Sequence, residues 1–414
     1  NVMDRPAYRF GGGQSVTVFA DNGEILEGLD AAQARTIASR FVALPAGKLQ
    51  DAGMLTRPDQ WTIGAGRGMP LFKFHVDDPA RTDLYVSAEL GEVTLETTRR
   101  TRTLAWLGTI PHWFYFAALR LNQPLWTRVV VWTSGLGCVL AALGLVLGFV
   151  QYRRSTPFRL STSIPYSGWM RWHYVSGAVF GLFTLTWVFS GLLSMEPFAW
   201  TRATGLEVRR DVFTGGPLDL ARFPKMDAAA WEQMLGGRAL KEVEFTRIQD
   251  EPYYIVRYAA DARTAAARER LHQPYNVGGR GDEDRLLVAA ATLEVRQAPF
   301  SIESLMTRLK AALPNVPIVD QQVLADYDAY YYSRAGQSSL PVLRVKFDDP
   351  AKTWFYIDPQ TSQILAQVHR LNRVERWLYN GLHSLDFSFW YGRRPLWDIG
   401  MLVLLVGGLV SSAA

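Results

Sequence analysis

Three long apolar segments interrupt a chain that elsewhere mixes polar and apolar residues. Val129–Val150 and Tyr174–Met195 each contain 22 residues without a charge, and Met401–Ala414 is apolar or small and uncharged throughout. A helix of about 20 apolar residues crosses the hydrocarbon core of a bilayer. The pattern therefore predicts a membrane helical bundle with transmembrane helices at 125–152, 169–196 and 395–414, the last of them truncated.

Between these segments, the hydrophobic pattern predicts a soluble α+β fold that occurs several times. A helix capped by Asp30 runs to about Val42, and strands follow near 60–63, 71–76, 82–87 and 92–97. A second helix at 227–235 precedes strands near 239–247, 253–258 and 286–296. A third helix, capped by Ser301, precedes strands near 319–332, 341–347, 353–357 and 363–368.

These elements predict α+β units at 30–98, 200–298 and 300–370. Two short strands around the Asn22-Gly23 turn, at 14–27, predict that residues 1–28 hold the end strands of a truncated fourth unit. We expect the chain to be a fragment that lacks the rest of this unit, a first membrane span and the end of the last span.

Two aromatic segments repeat one another at a fixed distance. Trp106 begins a pattern in which a His follows after six residues and Pro-Leu-Trp begins twelve residues after that His. Trp377 begins the same pattern, and 377 − 106 is 271. The turn sequence Asp-Asp-Pro-Ala recurs at the same offset, at 77–80 and 348–351. We infer a tandem duplication at offset 271, and we predict an interfacial helix in each copy, at 104–121 and 374–392.

The loop at 153–168 indicates how the chain is oriented. It carries Arg153, Arg154 and Arg159 and no acidic residue, which favours the cytoplasmic side of a membrane. An even number of crossings separates the α+β units, so all of them are expected on the opposite side. In a bacterial inner membrane that side is the periplasm.

Composition excludes some functions. The net charge of +5 is small and spread along the chain, which argues against nucleic-acid binding. Cys138 is the single cysteine, so no internal disulfide can form, and no Cys-x-x-Cys-His motif is present for covalent haem. No phosphate loop or dinucleotide fingerprint occurs, so a nicotinamide or flavin would have to come from another part or from a partner.

Four segments resemble the PepSY-associated transmembrane family: RWHYVSGAVFGLFTLTWVFSGLL at 171–193, YYIVRY at 253–258, TWFYIDPQT at 353–361 and RWLYNGLHSLDF at 376–387. The glycine usual in the turn of the third motif is Ser362 here. The resemblance covers nearly the whole chain. It implies membrane helices with periplasmic PepSY-like units, and similar members include bacterial inner-membrane ferric-siderophore reductases that carry haem b. Other members have no assigned function.

Three of the six histidines are candidate haem ligands. His173 lies four residues into the second predicted span, and His112 and His383 occupy the same place in the two copies. Imidazole is a common axial ligand of haem iron, and two are needed for each low-spin iron. We predict that His112 and His383 hold one haem near the periplasmic face and that His173 holds a second with a partner in the missing span.

Each of these assignments has an alternative that the residues leave open. An interfacial His can anchor a helix to lipid head groups, and a His within a span can be a hydrogen-bonded core residue. Gly177 would leave room for a porphyrin, and Arg393 and Arg394 would bind haem propionates or lipid phosphates. The remaining histidines break the repeat and are expected at the surface: His75, His272 and His369. The nearby tryptophans either line a haem pocket or form an interfacial belt: Trp106, Trp113, Trp172, Trp377 and Trp390.

The leading hypothesis is a dihaem b membrane protein that passes electrons from a cytoplasmic or quinol donor to a periplasmic ferric chelate. A second hypothesis is a non-enzymatic, membrane-anchored module that binds or regulates an envelope partner. A third is a transporter-like accessory in iron uptake. The Asp-Asp-Pro sequences resemble metal ligands in composition, but their position before Pro at a strand end favours a turn.

Overall fold

In the computed structural model the chain folds as two compact units, Asn1–Gly137 and Cys138–Ala414. The structure describes residues 2–11, 16–64, 68–154, 160–201, 205–209, 211–258, 285–333 and 338–414. The boundary between the units lies inside a long apolar helix.

The first unit begins with a β-hairpin and continues into an α+β module. Strands β1 (Ala7–Phe10) and β2 (Val16–Phe19) are antiparallel, and α1 (Ala31–Val42) follows. The four consecutive strands of one antiparallel sheet are β3 (Leu49–Leu55), β4 (Leu71–Val76), β5 (Asp83–Ser87) and β6 (Glu92–Thr97). Asp30 caps α1 as predicted, and the helix buries Ala34 and Ala38 against this sheet. We call residues 30–98 module I.

The segment after module I differs from the prediction. Instead of one interfacial helix at 104–121, the chain forms α2 (Arg99–Leu107), α3 (Thr109–Trp113) and α4 (Ala117–Arg120) before α5 (Gln123–Gln151). Gly108 (φ −123°, ψ −87°) leaves helical geometry between α2 and α3, and Phe114 (φ 53°) ends α3 in the left-handed region. The aromatic pattern is therefore carried by short helices that turn relative to one another.

The second unit contains two α+β modules in sequence. Helices α6 (Leu160–Ser163) and α7 (Gly168–Ser194) come first. Module II (residues 200–298) contains the short helix α8 (Asp211–Thr214) and packs α9 (Ala228–Leu235) on a three-stranded sheet. Its antiparallel strands are β7 (Leu240–Ile248), β8 (Glu251–Tyr258) and β9 (Arg285–Ala289). Asp227 caps α9 by accepting from the amide of Ala230.

Module III (residues 300–370) has the same architecture as module I. Its helix is α10 (Ile302–Ala312), capped by Ser301. Its antiparallel strands, in order, are β10 (Ile318–Leu324), β11 (Val342–Phe347), β12 (Trp354–Asp358) and β13 (Gln363–Val368). The following elements are α11 (Arg370–Arg376), a π-helical turn (Trp377–Gly381), α12 (Leu382–Ser384), α13 (Ser388–Tyr391) and α14 (Leu396–Ala413). The predicted interfacial helix at 374–392 is thus broken as well.

The repeat in the sequence has a structural counterpart. Strands β11, β12 and β13 begin and end 271 positions after β4, β5 and β6. Strand β10 lies 269 positions after β3, since 318 − 49 and 324 − 55 are both 269. Helix α10 is one residue shorter than α1, and the connection to the first strand is five residues long in module III and six in module I. The shared bounds show a structural repeat, and its origin by duplication stays a prediction.

One predicted strand is absent and two are shorter than predicted. The strand predicted at 286–296 ends at Ala289. In modules I and III, residues 60–63 form a bend and turn instead of a strand, and the strand predicted at 319–332 ends at Leu324. In both modules an aspartate side chain takes the backbone amides of this segment: Asp59 accepts from Trp61 and Thr62, and Asp328 accepts from Tyr330 and Tyr331. The actual strands β1 and β3 were not predicted.

The hairpin at 1–28 matches the end of module II. Tyr8 pairs with Val18 as Tyr254 pairs with Val288, and both hairpins are entered through two residues with positive φ, Met3-Asp4 and Gln249-Asp250. Tyr254 is buried under α9, where its ring lies 5.3 Å from Trp231. Its counterpart Tyr8 is 51% exposed. Of the two strands predicted around Asn22-Gly23, the first is β2 and the second is reduced to a single bridge between Val18 and Ile25. The assignment of residues 1–28 to a truncated unit stays a prediction.

Among the described residues, three helices are long and apolar enough to span a membrane: α5, α7 and α14. Within the second unit, α7 lies between the other two. The hydroxyl of Tyr174 donates to the carbonyl of Gly148 on α5, while Gly407 of α14 lies against the ring of Phe180. Small residues on the partner helices thus allow close packing along α7.

Candidate functional site

His383, in the short helix α12, contacts the C-terminal end of α7. Its Nδ1 is 3.0 Å from Oγ of Ser190, and the same oxygen lies 3.0 Å from the carbonyl oxygen of Trp187. A hydroxyl both donates and accepts, so the contact holds the ring in place in either tautomer. In the tautomer with the proton on Nδ1, Ser190 accepts from the ring and the lone pair is on Nε2, as a metal-ligating His requires.

His173, near the start of α7, has a partner that only accepts. Its Nδ1 lies 3.0 Å from the backbone carbonyl oxygen of Ser411 on α14. A carbonyl oxygen only accepts hydrogen bonds, so the ring donates through Nδ1–H. Nε2 is therefore the nitrogen of His173 that is suited to bind a metal.

The two imidazoles therefore mark opposite ends of one apolar helix. Seventeen residues separate His173 from Ser190 (190 − 173), which corresponds to about 25 Å along an α-helix. This distance approaches the thickness of the hydrocarbon core of a bilayer. Two iron sites built on these rings would lie near the two faces of a membrane.

His112 belongs to the first unit and lies in α3 (Thr109–Trp113). Burial lowers the pKa of His112, although its side chain keeps some exposed surface, and the neutral ring is thereby favoured. A neutral imidazole is the form that binds iron. The pairing of His112 with His383 stays a prediction.

The backbone around His112 and His383 is nevertheless alike within each unit. The helix ends two residues after each His with a left-handed residue, Phe114 (φ 53°) or Leu385 (φ 48°). A tryptophan at the start of the following span caps that helix end. Trp126 donates its indole N–H to the carbonyl of Trp113 at 2.9 Å, and Trp397 donates to Ser384 at 3.2 Å. The repeated Pro-Leu-Trp motif thus fixes the His segment against the span that follows it.

In module I, the side chain of Gln60 joins the loop between β3 and β4 to the segment after His112. The amide of Gln60 donates to the carbonyl of Tyr115 at 2.6 Å and accepts from the N–H of Ala117 at 2.9 Å. Gln60 follows Asp59, the residue that shapes the loop. The loop therefore holds the short helices in place from the soluble side.

In module III, a buried polar cluster makes the corresponding connection. The guanidinium of Arg376 donates to the carbonyl of Ala329 at 2.8 Å and pairs with Asp386 at 3.4 Å. Tyr332 donates to Asp386 at 2.9 Å and accepts from Asn380 at 3.0 Å. Burial raises the pKa of Tyr332, and the hydrogen bond to Asp386 raises it further.

The sequence comparison of the two copies did not reveal this cluster. Arg376 corresponds to Ala105 and Asp386 to Tyr115, so neither is repeated. The sequence marks the two residues only as departures from the repeat. Arg376 and Asp386 flank His383, whereas the corresponding residues of the first copy are uncharged.

Gly177 lies where α7 meets α14. A Cβ at Gly177 would be 3.9 Å from Oγ of Ser411, so the glycine faces the neighbouring helix. On the same side, Trp172, Phe180 and Val410 line an apolar groove. In this structure Gly177 contributes to helix packing, and its role beside a porphyrin stays a prediction.

The two candidate arginines differ in their contacts. Arg394 pairs with Asp398 and lies over the ring of Trp397, 4.5 Å from the ring centroid. Arg393 is exposed and makes no ion pair within the part of the chain that the structure describes. Arg393 is therefore the better candidate for an anionic group such as a propionate or a lipid phosphate.

The other histidines have local partners. His75 contacts Asp83 at 2.7 Å, and Nδ1 of His369, at the start of α11, lies 3.2 Å from Oγ1 of Thr353. His272 lies outside the described residues. Asp349 forms the predicted turn by accepting hydrogen bonds from the amides of Ala351 and Thr353. Over the described ranges, no cluster of three or more His, Cys, Asp or Glu side chains could hold a metal ion.

The tryptophans near the histidines are largely exposed on the protein surface. Trp106 is 49%, Trp113 38% and Trp172 60% exposed, while Trp377 is 37% exposed and Trp390 is partly buried. This distribution fits an interfacial belt or the wall of an open site equally well.

Comparison with known proteins adds no identity: no protein-family model matches the chain, and no curated protein matches it.

Proposed function

We propose that this chain belongs to a haem b-containing inner-membrane electron-transfer protein of the PepSY-associated transmembrane type, and that it reduces ferric chelates in the periplasm. The observation that supports the proposal is the placement of His383 and His173 at opposite ends of α7. Each ring has Nδ1 within 3.0 Å of a protein oxygen, so Nε2 is the candidate ligand atom.

The residues present fit an axially ligated haem. His383 and His173 are each oriented by a contact at Nδ1, which is how proteins position imidazole ligands. Bound haem would supply reversible one-electron transfer between its ferric and ferrous states. His383 and His112 would hold the group near the modules, and His173 would hold a second near the arginine loop.

The donor must supply one electron for each ferric ion that is reduced. One electron reduces one ferric ion to the ferrous state, so a quinol, which releases two electrons and two protons, serves two ferric ions. The modules would lie in the periplasm and present the acceptor side. The loop with Arg153 and Arg154 would face the cytoplasm.

A visible spectrum of the chain, purified in detergent and supplied with haemin, tests the proposal. We expect a reduced b-type spectrum that His383→Ala and His112→Ala abolish. His75→Ala is the matched control, because His75 lies on the sheet and contacts Asp83. A protein that stays colourless, or a spectrum that survives both ligand variants, would contradict the proposal and favour a membrane-anchored binding module.

A further inference from the structure

In module I, a buried carboxylate is surrounded by three basic side chains. Asp83 of β5 is 7% exposed. Its oxygens lie 2.7 Å from His75, 3.2 Å from Arg102 and 3.7 Å from Lys73. The carboxylate therefore provides the counter-charge for this face of the sheet.

Module III has a tryptophan at the same place. Trp354 lies 271 positions after Asp83, at the start of the corresponding strand. Its ring centroid lies 4.2 Å from the guanidinium of Arg373, 4.6 Å from the ammonium of Lys346 and 5.5 Å from the guanidinium of Arg344. The residues that these three replace, each 271 positions earlier, are Arg102, His75 and Lys73.

The exchange makes this face of module III more positive than that of module I. A neutral indole stands for a carboxylate, and a lysine stands for a histidine. Asp320 pairs with Lys346 at 2.9 Å and Asp328 pairs with Arg344 at 2.9 Å.

Of the three cations around Trp354, Arg373 is the one that forms no ion pair among the described residues. Over the described residues it has no carboxylate within 4.0 Å, and it donates to the backbone carbonyls of Lys352 and Val368. Burial lowers the pKa of Arg373, as expected for a cation with insufficient counter-charge.

This surface is continuous with the segment that carries His383. The ring of Tyr330 lies 5.4 Å from Trp354, edge to face. Trp377 donates its indole N–H to the hydroxyl of Tyr330 at 3.2 Å, and Trp377 begins the π-helical turn that leads to His383. A molecule bound at Trp354 would therefore lie beside the aromatic residues that precede the proposed ligand.

We propose that Trp354, Lys346 and Arg373 form a binding site for the electron acceptor, and that the acceptor is a ferric chelate of net negative charge. The indole ring holds the three cations together, and their summed charge attracts an anion. The partly exposed Trp354 and Tyr330 offer apolar contact to the organic part of that anion. Lys346 keeps 24% of its side-chain surface exposed. The acceptor role rests on the proposed function, whereas the anion site rests on the geometry alone.

Binding of an inert anionic complex tests the site without electron transfer. The probe is tris(oxalato)cobaltate(III), titrated by calorimetry into the chain in a neutral detergent, with hexaamminecobalt(III) as the cationic comparison. We expect the anion to bind, more weakly as salt rises, and the cation not to bind. Trp354→Asp restores the residue of module I and should weaken binding at least tenfold, because the new carboxylate competes for the same cations.

Matched variants separate charge from packing. Trp354→Phe keeps a neutral ring and should retain binding within about threefold, while Arg373→Gln should lose about tenfold. Lys48→Gln removes an exposed cation of module I, paired with Asp77, and should change nothing. The double variant Asp83→Trp/His75→Lys should add a second site and raise the stoichiometry from one to two.

Three results would overturn the proposal. They are no binding of the anion, equal binding by the Trp354→Asp variant, and displacement of the probe by nanodiscs of phosphatidylglycerol but not of phosphatidylcholine, which would assign the surface to lipid head groups. The haem spectrum is independent of this titration, so failure of the site and failure of the proposed function are distinguishable.

Discussion

The imidazole of His383 is oriented by a chain of two hydrogen bonds rather than by one. Its Nδ1 lies 3.0 Å from the hydroxyl of Ser190, which lies 3.0 Å from the carbonyl oxygen of Trp187. The hydroxyl accepts from the ring when Nδ1 carries the proton, and the two contacts together fix the position of the imidazole. Substitution of Ser190 therefore tests whether this position matters for the proposed ligand.

Ser190→Ala removes the acceptor and should weaken haem binding by His383 about tenfold, within the range known for partners of metal-ligating residues. The measurement is a haemin titration followed by absorbance. Ser194→Ala is the control, because Ser194 only donates to the carbonyl of Gly191 in its own helix. Equal affinities for the two variants would show that Ser190 does not orient the ring.

Asp59 gives module I a dependence on pH. Burial raises the pKa of Asp59, but hydrogen bonds from Thr62 and Trp61 and the charge of Lys73 outweigh it, and the net pKa is lowered. A carboxylate with a lowered pKa in the folded state stabilises the fold above its unfolded pKa, and this contribution is lost as pH falls through the folded value.

We therefore expect the Gln60 contacts to loosen on acidification below about pH 4, the ordinary pKa of an aspartate. Hydrogen exchange of the Ala117 amide, which donates to Gln60, reports this step. Asp59→Asn should remove the pH dependence of protection at Ala117. If Ala117 in wild type is equally protected at pH 3 and pH 7, Asp59 does not control the loop.

At the scale of elements, the sequence predicts the helices of the modules and the later strands of each four-stranded sheet well, but it misses β1 and β3. Strand β4 and the edge strand β13 lie at the predicted residues because apolar side chains alternate along them. Edge strand β3 (Leu49–Leu55) contains Gly53 and mostly exposed residues, so it has no such pattern. The segments at 60–63 and 325–332 are rich in aromatic or β-branched residues but become turns, because an Asp side chain binds their amides.

The residues of the candidate site were also only partly predictable from the sequence. Repetition at offset 271 selects His112 and His383 without any structure. The partners Ser190 and Ser411 come from distant parts of the chain, and no local pattern marks them. The cations around Trp354 are visible only once the sheet register aligns them with those around Asp83.

The hairpin of module II is covered by α9, whereas the face of the hairpin β1–β2 is exposed, so removal of an aromatic ring should change the free energy of unfolding by different amounts in the two places. Trp231→Ala empties a core position under α9 and should lower the free energy of unfolding of module II by about 3–5 kcal/mol. Phe10→Ala, on the equivalent exposed face of β1, should cost less than about 1 kcal/mol. Hydrogen exchange of the paired amides in β8 and β2 measures both. A large loss of protection in β2 from Phe10→Ala would show that its face is covered in solution.

At the scale of the whole molecule, the three apolar helices and the arginine loop determine which side each module faces. The segment between α5 and α7 connects two spans, and modules I, II and III each adjoin the other ends of these spans or the start of α14. All three modules are therefore expected on one side of the membrane.

Labelling with a membrane-impermeant maleimide tests this arrangement. In a Cys138→Ser background, we expect Asp51→Cys and Lys310→Cys to react from the periplasmic side of intact bacteria. Arg154→Cys should react only after the membrane is opened. Reaction of position 154 in intact cells, or opposite behaviour of positions 51 and 310, would contradict the topology.

The two first strands reach the same partners through bulges at different places. The bulge lies between Asp51 and Met54 in β3 and between Ile318 and Asp320 in β10. A bulge sets one extra residue of a strand against its neighbour, and both strands therefore place seven residues opposite six. An outer strand that accommodates a surplus residue at more than one position should tolerate single insertions, so we expect length variation among proteins built from this module to concentrate in that strand.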